Sequence, residues 1–340
     1  MLRWESALLI ALIGVFVLGI SVSPQFTSSF NLFTLCTNTG DLEIMALPMT
    51  LIVLVGEIDL SVASILAMSS ELLGALVLHH WPMGLIFVVC IAMGAVAGLI
   101  NGLLVTRVGL PSLAVTIGTL TLYRGIATVI LGPLSVSSFP TAFTNVGVVG
   151  AFGIDSLSWS IVAFVVLAII AGVVLRMTPV GRSLYAIGLN REAAFHAGIR
   201  VKRIKLLLYV LSGVVCAAVG ILYTFELSSA TENIGIGFEL QVITIVLLGG
   251  VSIFGGKGTI LGVALAAFVY GGLRSALLLT SSFNQNDIQI ISGGLLILSV
   301  LIPNVPLFVT RGRETVARIR GRGARNRLTQ PPAPGEAADV

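Results

Sequence analysis

The chain alternates between long apolar runs and short polar connections, which is the pattern of a protein that crosses a membrane many times. A helix needs about 17 to 25 mostly apolar residues to cross the hydrocarbon core of a bilayer. Ten runs approach or reach this length: near 5–22, 38–56, 61–78, 84–106, 112–132, 158–176, 204–225, 239–254, 259–279 and 287–302. The pattern predicts an all-α integral membrane protein with about ten transmembrane helices.

The basic residues predict the orientation of these helices. The connections 23–37, 79–83, 133–157, 226–238 and 280–286 contain no Lys or Arg. The connections between them carry Arg107, Lys257 and a cluster of basic residues, and short basic loops are retained in the cytosol. We therefore expect both termini in the cytosol, with a polytopic membrane domain over 1–302 and a basic, partly disordered cytosolic tail over 303–340.

Composition agrees with this class. The chain has 340 residues, of which 56% are hydrophobic and 10% charged, and its mean hydropathy is +1.06. A soluble domain is excluded. The basic residues lie beside apolar segments, so they indicate topology and not a nucleic-acid partner. Cys36, Cys90 and Cys216 have unrelated spacings that favour neither disulfides nor a metal site.

The first apolar segment has two interpretations. Arg3 precedes it, and the small residues Ser21 to Ser23 could form a cleavage site, so 5–22 is either a first span or a secretory signal. The other nine predicted spans are the same in both cases.

The loop 177–205 is the one long, basic interior connection. Seven basic residues from Arg176 to Lys205 face a single acid, Glu192. This composition places the loop on the cytosolic side. A solvated connector that only fixes topology is the simpler interpretation, and a docking surface is the alternative.

Local signals predict two short helical pieces in this loop. Asn190 can cap a helix that runs through Ala197, and Gly198 can close it in the left-handed conformation. A second turn is predicted over Ser183–Ile187, ending at Gly188. Helices this short are not stable alone, which favours docking on another surface.

An acidic turn follows the second apolar segment. Pro48 and Gly56 predict a kinked or broken helix, and the carboxylates Glu57 and Asp59 then precede Ser61. A tight interior turn explains part of this pattern, but not its acidity on a side where basic residues are usual. Glu57, Asp59 and Ser61 are therefore candidates for translocation or gating.

Polar groups also interrupt the segment 97–127. Asn101, Thr116, Thr119 and Arg124 are further candidates for translocation or gating, although threonines in such spans often bond to their own helix. Arg124 must face protein or a wet cavity, and a structural ion pair is as plausible for it as a transport role. Its potential partners are Glu71, Glu57 and Glu239.

The glycines around Lys257 do not form a nucleotide-binding loop. In the register of a phosphate loop, Val251 replaces the first glycine and Gly258 replaces the hydroxyl residue. We expect a tight interior turn instead. The sequence Thr244–Gly250 also resembles Thr50–Gly56, which suggests an internal duplication.

Four stretches carry a resemblance to one family. The string GRSLYAIGLNREAAFHAGI resembles the cytosolic loop of ribose-type permease subunits of ATP-binding-cassette (ABC) sugar importers, and the regions 46–64, 97–127 and 239–268 resemble the same family in register. Where that family usually has a second glycine, this chain has Glu57. The strings ALPMT and FPTAFTNVG look more similar to the rhamnose and autoinducer-2 branches than to the ribose branch.

The resemblance implies a type II-like importer permease in the bacterial inner membrane, without catalysis or cofactor of its own. Its implied partners are an ABC ATPase, a second permease chain (the same or similar), a periplasmic or lipid-anchored solute-binding protein, and a small sugar. The implied ATPase-coupling residues are Gly181, Arg182, Tyr185, Gly188, Asn190, Glu192, Ala193, Ala194 and Gly198.

The outer face would then receive the solute-binding protein. The loop 133–157 is rich in Gly, Ser and Pro and predicts an ordered or semi-ordered outer surface. Glu226, Glu232, Asp155 and Asp287 would make that face negative. A solvated acidic surface remains the alternative.

Two other functions are weighed against this one. A secondary transporter could bind a proton or sodium ion at Glu57, Asp59 or Glu71, because membrane carboxylates are functional candidates. An intramembrane enzyme lacks support: the histidines are His79, His80 and His196, and no H-E-x-x-H motif is present.

Overall fold

The structure is a computed structural model that describes residues 4–280, 283, 287, 289–299 and 301. In this part of the chain it is helical, and its one β-bridge joins Val136 to Ala230. The helices are α1 Trp4–Val22, α2 Ser29–Leu54, α3 Val62–Leu78, α4 Met83–Leu103, α5 Ser112–Leu131, α6 Thr141–Thr144, α7 Trp159–Met177, α8 Pro179–Leu189, α9 Arg191–His196, α10 Val201–Glu226, α11 Phe238–Leu248, α12 Ile260–Leu278 and α13 Gln289–Ser299. A π-helical turn, Leu104–Val108, extends α4.

Each of the ten predicted apolar segments overlaps one of these helices. Six described helices are long and apolar enough to cross a membrane: α1, α4 with its extension, α5, α7, α10 and α12. The apolar helices α3, α11 and α13 are shorter. The integral-membrane class is therefore confirmed, whereas the count of ten spans and the cytosolic termini stay predictions. The tail 303–340 lies outside the described residues.

Helix α2 forms the centre of the bundle. It is buried continuously from Thr39 to Leu54, because α7, α10, α11 and α12 pack around it. The helix continues through Pro48, so of the two predicted points of disruption this residue is not where the helix breaks. It ends instead at Val55 and Gly56, where Gly56 adopts a φ of +76°. The left-handed residue changes the chain direction.

Helices α4 and α10 touch through their backbones. A Cβ added at Gly98 would overlap the carbonyl oxygen of Tyr209, and one added at Gly213 would overlap that of Gly94. Small residues allow this close approach. In lipid, such packing drives helix association, because the hydrophobic effect provides no driving force between helices there.

The two interior turns share one hydrogen-bond pattern. After α2, Gly56 N donates to Val53 O at 2.9 Å and Glu57 N to Ile52 O at 3.1 Å. After α11, Gly250 N donates to Leu247 O at 2.9 Å and Val251 N to Val246 O at 3.3 Å. The same two bonds also end α3 and α9, because they are a common way for a helix to end, so the suggested duplication stays a prediction. The helices before the turns differ, with 26 residues in α2 and 11 in α11. The prediction of one span over 239–254 is wrong at its inner end, where glycines end the helix.

Candidate functional site

Helices α8 and α9 form the predicted cytosolic segment. The side-chain oxygen of Asn190 accepts a hydrogen bond from Ala193 N at 3.0 Å, and Gly198 has a φ of +83°. Both local predictions agree with the structure. The first helix is longer than the predicted 183–187 turn and ends at Asn190, not at Gly188. It starts early because Thr178 caps it, accepting from Gly181 N at 3.4 Å, and Pro179 fits its first turn.

Gly188 lies against the inner ends of the membrane helices. A Cβ at this position would overlap the carbonyl oxygen of Leu54 and the backbone nitrogen of Gly256. Gly256 N itself donates to Leu54 O at 2.9 Å, and the Tyr185 hydroxyl donates to Gly258 O at 2.8 Å. Helix α8 is thus fixed at once to the end of α2 and to the turn before α12.

The opposite side of this segment faces away from the helix bundle and is exposed. Arg182, Asn190, Glu192 and Ala193 are exposed. Leu189 is 67% exposed and Phe195 66%, although both are large apolar side chains. Ala194 is buried and anchors α9 to the core. We call the exposed residues Leu189, Asn190, Glu192, Ala193 and Phe195 the docking patch.

A cavity of about 730 Å³ adjoins the docking patch. It lies between α9 and the start of α10 and is lined by Glu192 and Phe195 together with four basic residues, Arg191, Arg200, Lys202 and Arg203. The segment therefore offers a concave, positively charged surface with an apolar ridge.

Glu57 forms an ion pair with Lys205, which stands at the start of α10. The side chains are 13% and 5% exposed, respectively. Glu57 is therefore not the partner of Arg124. The pair connects the acidic turn to the helix that follows the docking patch.

Asp59, Ser61 and Asn101 meet in one buried network. Asp59 accepts from Ser61 Oγ at 2.6 Å and from Ser212 Oγ at 2.9 Å, and Asn101 Nδ2 donates to Ser61 Oγ at 2.8 Å. Tyr123 OH extends the network by donating to Asn101 Oδ1 at 3.2 Å. Burial raises the pKa of the Asp59 carboxyl, whereas the hydrogen bonds from Ser61 and Ser212 lower it. These contacts join α3, α4, α5 and α10 at the acidic turn.

Thr116 and Thr119 point to backbone acceptors. Thr116 Oγ1 donates to Ser112 O at 2.9 Å and lies 3.4 Å from Ile58 O, and Thr119 Oγ1 lies 3.4 Å from Thr116 O. Their hydroxyl groups bond to backbone carbonyls of α5 and of the acidic turn. This agrees with the interpretation that threonines in membrane spans often bond to their own helix backbone.

Arg124 lies apart from this network. Its guanidinium donates to Ile234 O at 2.6 Å, and it is close enough to Glu71 and Glu239 for their charges to interact. The structure therefore brings together Asp59, Ser61, Asn101 and Thr116, and places Glu57 and Arg124 in separate clusters.

Sequence reasoning missed two buried acids in α2. Asp41 and Glu43 are fully buried near the middle of this helix. Two carboxylates inside the second apolar segment were the available signal. A third acid, Glu226, was assigned to the outer surface, but it accepts a hydrogen bond from Ser160 and lies close to Asp41. Its side chain is therefore directed into the bundle, whereas Asp155 and Glu232 are exposed.

Comparisons with known proteins agree on one family. The profile described as branched-chain amino acid transport system / permease component matches residues 31–300. The ribose import permease protein RbsC of Haemophilus influenzae is 33% identical over 277 residues, covering 80% of this chain and 85% of that protein. The autoinducer 2 import system permease protein LsrD of Yersinia enterocolitica is 34% identical over 332 residues, covering 92% and 97%.

A third relative extends the match. The autoinducer 2 import system permease protein LsrC of Salmonella choleraesuis is 30% identical over 334 residues, covering 98% of this chain and 93% of that protein. No solved structure matches the chain significantly.

Proposed function

The chain belongs to the family of branched-chain amino acid transport system permease components, and from this premise we propose that it is the membrane-spanning subunit of a bacterial sugar importer powered by a separate ABC ATPase. It is a multi-pass inner-membrane protein whose relatives are named as import permeases for ribose and autoinducer 2. The proposed solute is a small sugar or polyol. A preference for rhamnose remains a prediction.

The observation that carries the coupling proposal is the position of α8. Gly188 touches the end of α2 and Tyr185 binds the turn before α12, while the docking patch faces the opposite way. An ATPase that presses on the docking patch would displace the inner ends of both helices. Such coupling requires the ATPase to contact the patch differently in its two nucleotide states.

The partner beyond the ATPase is a second permease chain, the same or similar. One side of α5 supports this proposal. A Cβ added at Gly118 or Gly125 would have no neighbour within 4 Å, and Thr121 between them is exposed. Small and hydroxyl residues in a membrane helix favour contact with another helix or with water over contact with lipid. The solute would cross between the two chains.

The solute-binding protein would dock on the outer loops. The bridge between Val136 and Ala230 ties the loop 133–157 to the connection after α10, and a Cβ at Gly147 would overlap the Glu226 carbonyl oxygen. These contacts support an ordered outer surface, on which Asp155 and Glu232 are exposed acids.

Reconstitution tests the proposal against ion-coupled transport. The permease alone in liposomes, given a proton or sodium gradient, should accumulate no sugar. Addition of the ATPase, the solute-binding protein and ATP should start uptake. Accumulation by the permease alone would favour the secondary transporter, for which the buried acids Asp41, Glu43 and Glu71 would then be the ion-binding candidates.

Two variants test the coupling surface. Glu192→Trp and Ala193→Trp should leave membrane insertion intact, weaken ATPase association and abolish uptake, because both side chains are exposed on the docking patch. Asp155→Trp, at an exposed residue of the outer loop, is the control. Normal ATPase association in both docking-patch variants would contradict the proposed role.

A further inference from the structure

The cavity between α9 and the start of α10 carries an excess of positive charge. Of the described residues that line it, Glu192 is the one acid and four are basic: Arg191, Arg200, Lys202 and Arg203. Within the described chain, none of these four side chains forms an ion pair within 4.0 Å. Cations gathered at one site repel one another, and a bound anion would remove this cost.

The first turn of α10 adds backbone donors to the same cavity. Its N-cap residue Arg200 makes no side-chain cap, and the N–H groups of Lys202 and Arg203 have no hydrogen-bond acceptor in the described chain. Uncapped N–H groups at a helix start carry partial positive charge and favour an anion. They reinforce the charge of the side chains around them.

An apolar stripe on α10 continues from the cavity. Leu207 and Leu211 follow Arg203 by four and eight residues, so the three lie on one side of the helix. Leu207 is 56% exposed and Leu211 43%, and the exposed Ala218 extends the stripe farther along α10. Because α10 is long and apolar enough to cross a membrane, this stripe is suited to contact with lipid acyl chains. The cavity therefore lies at the end of a lipid-facing surface.

Lys205 indicates how deep the cavity lies. Its side chain is 5% exposed and pairs with Glu57 at the turn that ends α2. Arg203 is exposed and lies two residues nearer the start of α10, about 3 Å of helix. The lining cations are thus just beyond the inner ends of the membrane helices, at the level of lipid headgroups. The basic loops predict that this side is cytosolic, where the leaflet carries anionic lipid.

We propose that this cavity binds the phosphate group of an anionic phospholipid from the cytosolic leaflet, with the acyl chains lying along Leu207 and Leu211. The guanidinium groups of Arg200 and Arg203 donate to the phosphate oxygens, since their paired N–H groups match that geometry. Glu192 and Phe195 border both the cavity and the docking patch, so the lipid lies beside the proposed ATPase contact. The inference goes beyond the proposed function, because the permease alone would bind the lipid.

Lipid binding by the purified permease tests the site. Native mass spectrometry in detergent, with phosphatidylglycerol or phosphatidylcholine added, gives the dissociation constant of the first bound lipid. Phosphatidylglycerol should bind more tightly, and in the double variant Arg200→Gln with Arg203→Gln its affinity should fall by about tenfold or more. The double variant Arg200→Lys with Arg203→Lys keeps both charges and should retain most of the affinity.

A second double variant is the matched control. Arg107→Gln with Lys257→Gln also removes two exposed basic side chains from the inner side, but neither residue lines the cavity. It should leave the affinity for phosphatidylglycerol unchanged. An equal fall in both glutamine double variants would show that diffuse surface charge attracts the lipid, and would overturn the site. An unchanged affinity in Arg200→Gln with Arg203→Gln would overturn it as well.

Two further results would assign the cavity to another ligand. Glycerol 3-phosphate has the phosphate without acyl chains, so displacement of phosphatidylglycerol by an equal concentration of it would identify a site for free phosphate. Unchanged lipid affinity with weakened ATPase association in Arg200→Gln with Arg203→Gln would assign the cavity to the ATPase. Uptake by the complete transporter is a separate measurement, so the proposed function stands or fails independently of these results.

Discussion

The two interior turns have the same backbone hydrogen bonds but are stabilised by different chemistry. The turn after α2 is held by side chains: Glu57 pairs with Lys205, and Asp59 accepts from Ser61 and Ser212. The turn after α11 is held by backbone, with φ values of +83°, +82° and +72° at Gly250, Gly255 and Gly256. Helix α8 contacts both turns.

The difference indicates a division of roles. Side chains from three other helices fix the first turn, so it would change shape only by breaking buried polar contacts. Glycines leave the second turn free to adopt other dihedral angles at small cost. We expect motion of α8 to reach the bundle through a rigid connection at α2 and an adjustable one at α12. The following predictions test this contrast in order of decreasing effect.

Replacing Gly188 with valine should have the largest effect. A side chain here collides with Leu54 O and Gly256 N, so α8 must separate from both turns. ATP-driven uptake by the complete transporter should fall to background while the permease still inserts in the membrane. Gly172→Val, at a helical glycine with open space around it, is the control. Normal uptake by Gly188→Val would contradict the contact of α8 with both turns.

Breaking the ion pair should destabilise the first turn strongly. Lys205→Met leaves the partly buried Glu57 carboxylate without its partner, which should lower the free energy of unfolding by about 2 to 4 kcal/mol. Thermal unfolding in detergent measures this loss, and Lys202→Met at an exposed neighbour is the control. The double variant Glu57→Gln with Lys205→Met should recover most of the loss. Equal instability of single and double variants would show that the pair itself is not responsible.

Asp59→Asn should have a smaller effect on the same turn. The amide oxygen can still accept from the donors on one side, but the NH₂ group replaces the other oxygen and faces either the Ser61 or the Ser212 hydroxyl, so we expect a loss of about 1 to 3 kcal/mol. Chemical denaturation measures it, with Asp155→Asn as the exposed control. A loss no larger than that of the control would remove Asp59 from the network that fixes the turn.

Removing the hydrogen bond from α8 to the second turn should have the smallest effect on stability. Tyr185→Phe removes the bond to Gly258 O, which should cost about 0.5 to 1.5 kcal/mol of unfolding free energy. It should also lower solute uptake per ATP, because the adjustable connection is weakened. Thr224→Val removes a bond between α10 and α3 that lies away from both turns, and it should lower stability while leaving the uptake per ATP unchanged. Equal ratios in both variants would contradict the proposed connection.

Local signals were sufficient to predict much of the fold. The apolar runs located the helices, and the Asn190 cap and left-handed Gly198 depend only on neighbours in sequence. The pair of Glu57 and Lys205 could not be predicted, since its partners are 148 residues apart. The close contact of Gly188 also depends on two distant turns. Asp41 and Glu43 were overlooked because the apolar run from Ile44 that follows them dominates the average hydropathy of the segment.

The glycine contacts between α4 and α10 have a mechanical consequence. Two helices whose backbones touch at Gly94, Gly98 and Gly213 have no side-chain layer that could shear between them. They should therefore travel as one rigid body through the transport cycle, carrying Lys205 with them. Spin labels on the outer ends of the two helices would keep a constant separation in every nucleotide state, even while their distance to α5 changes.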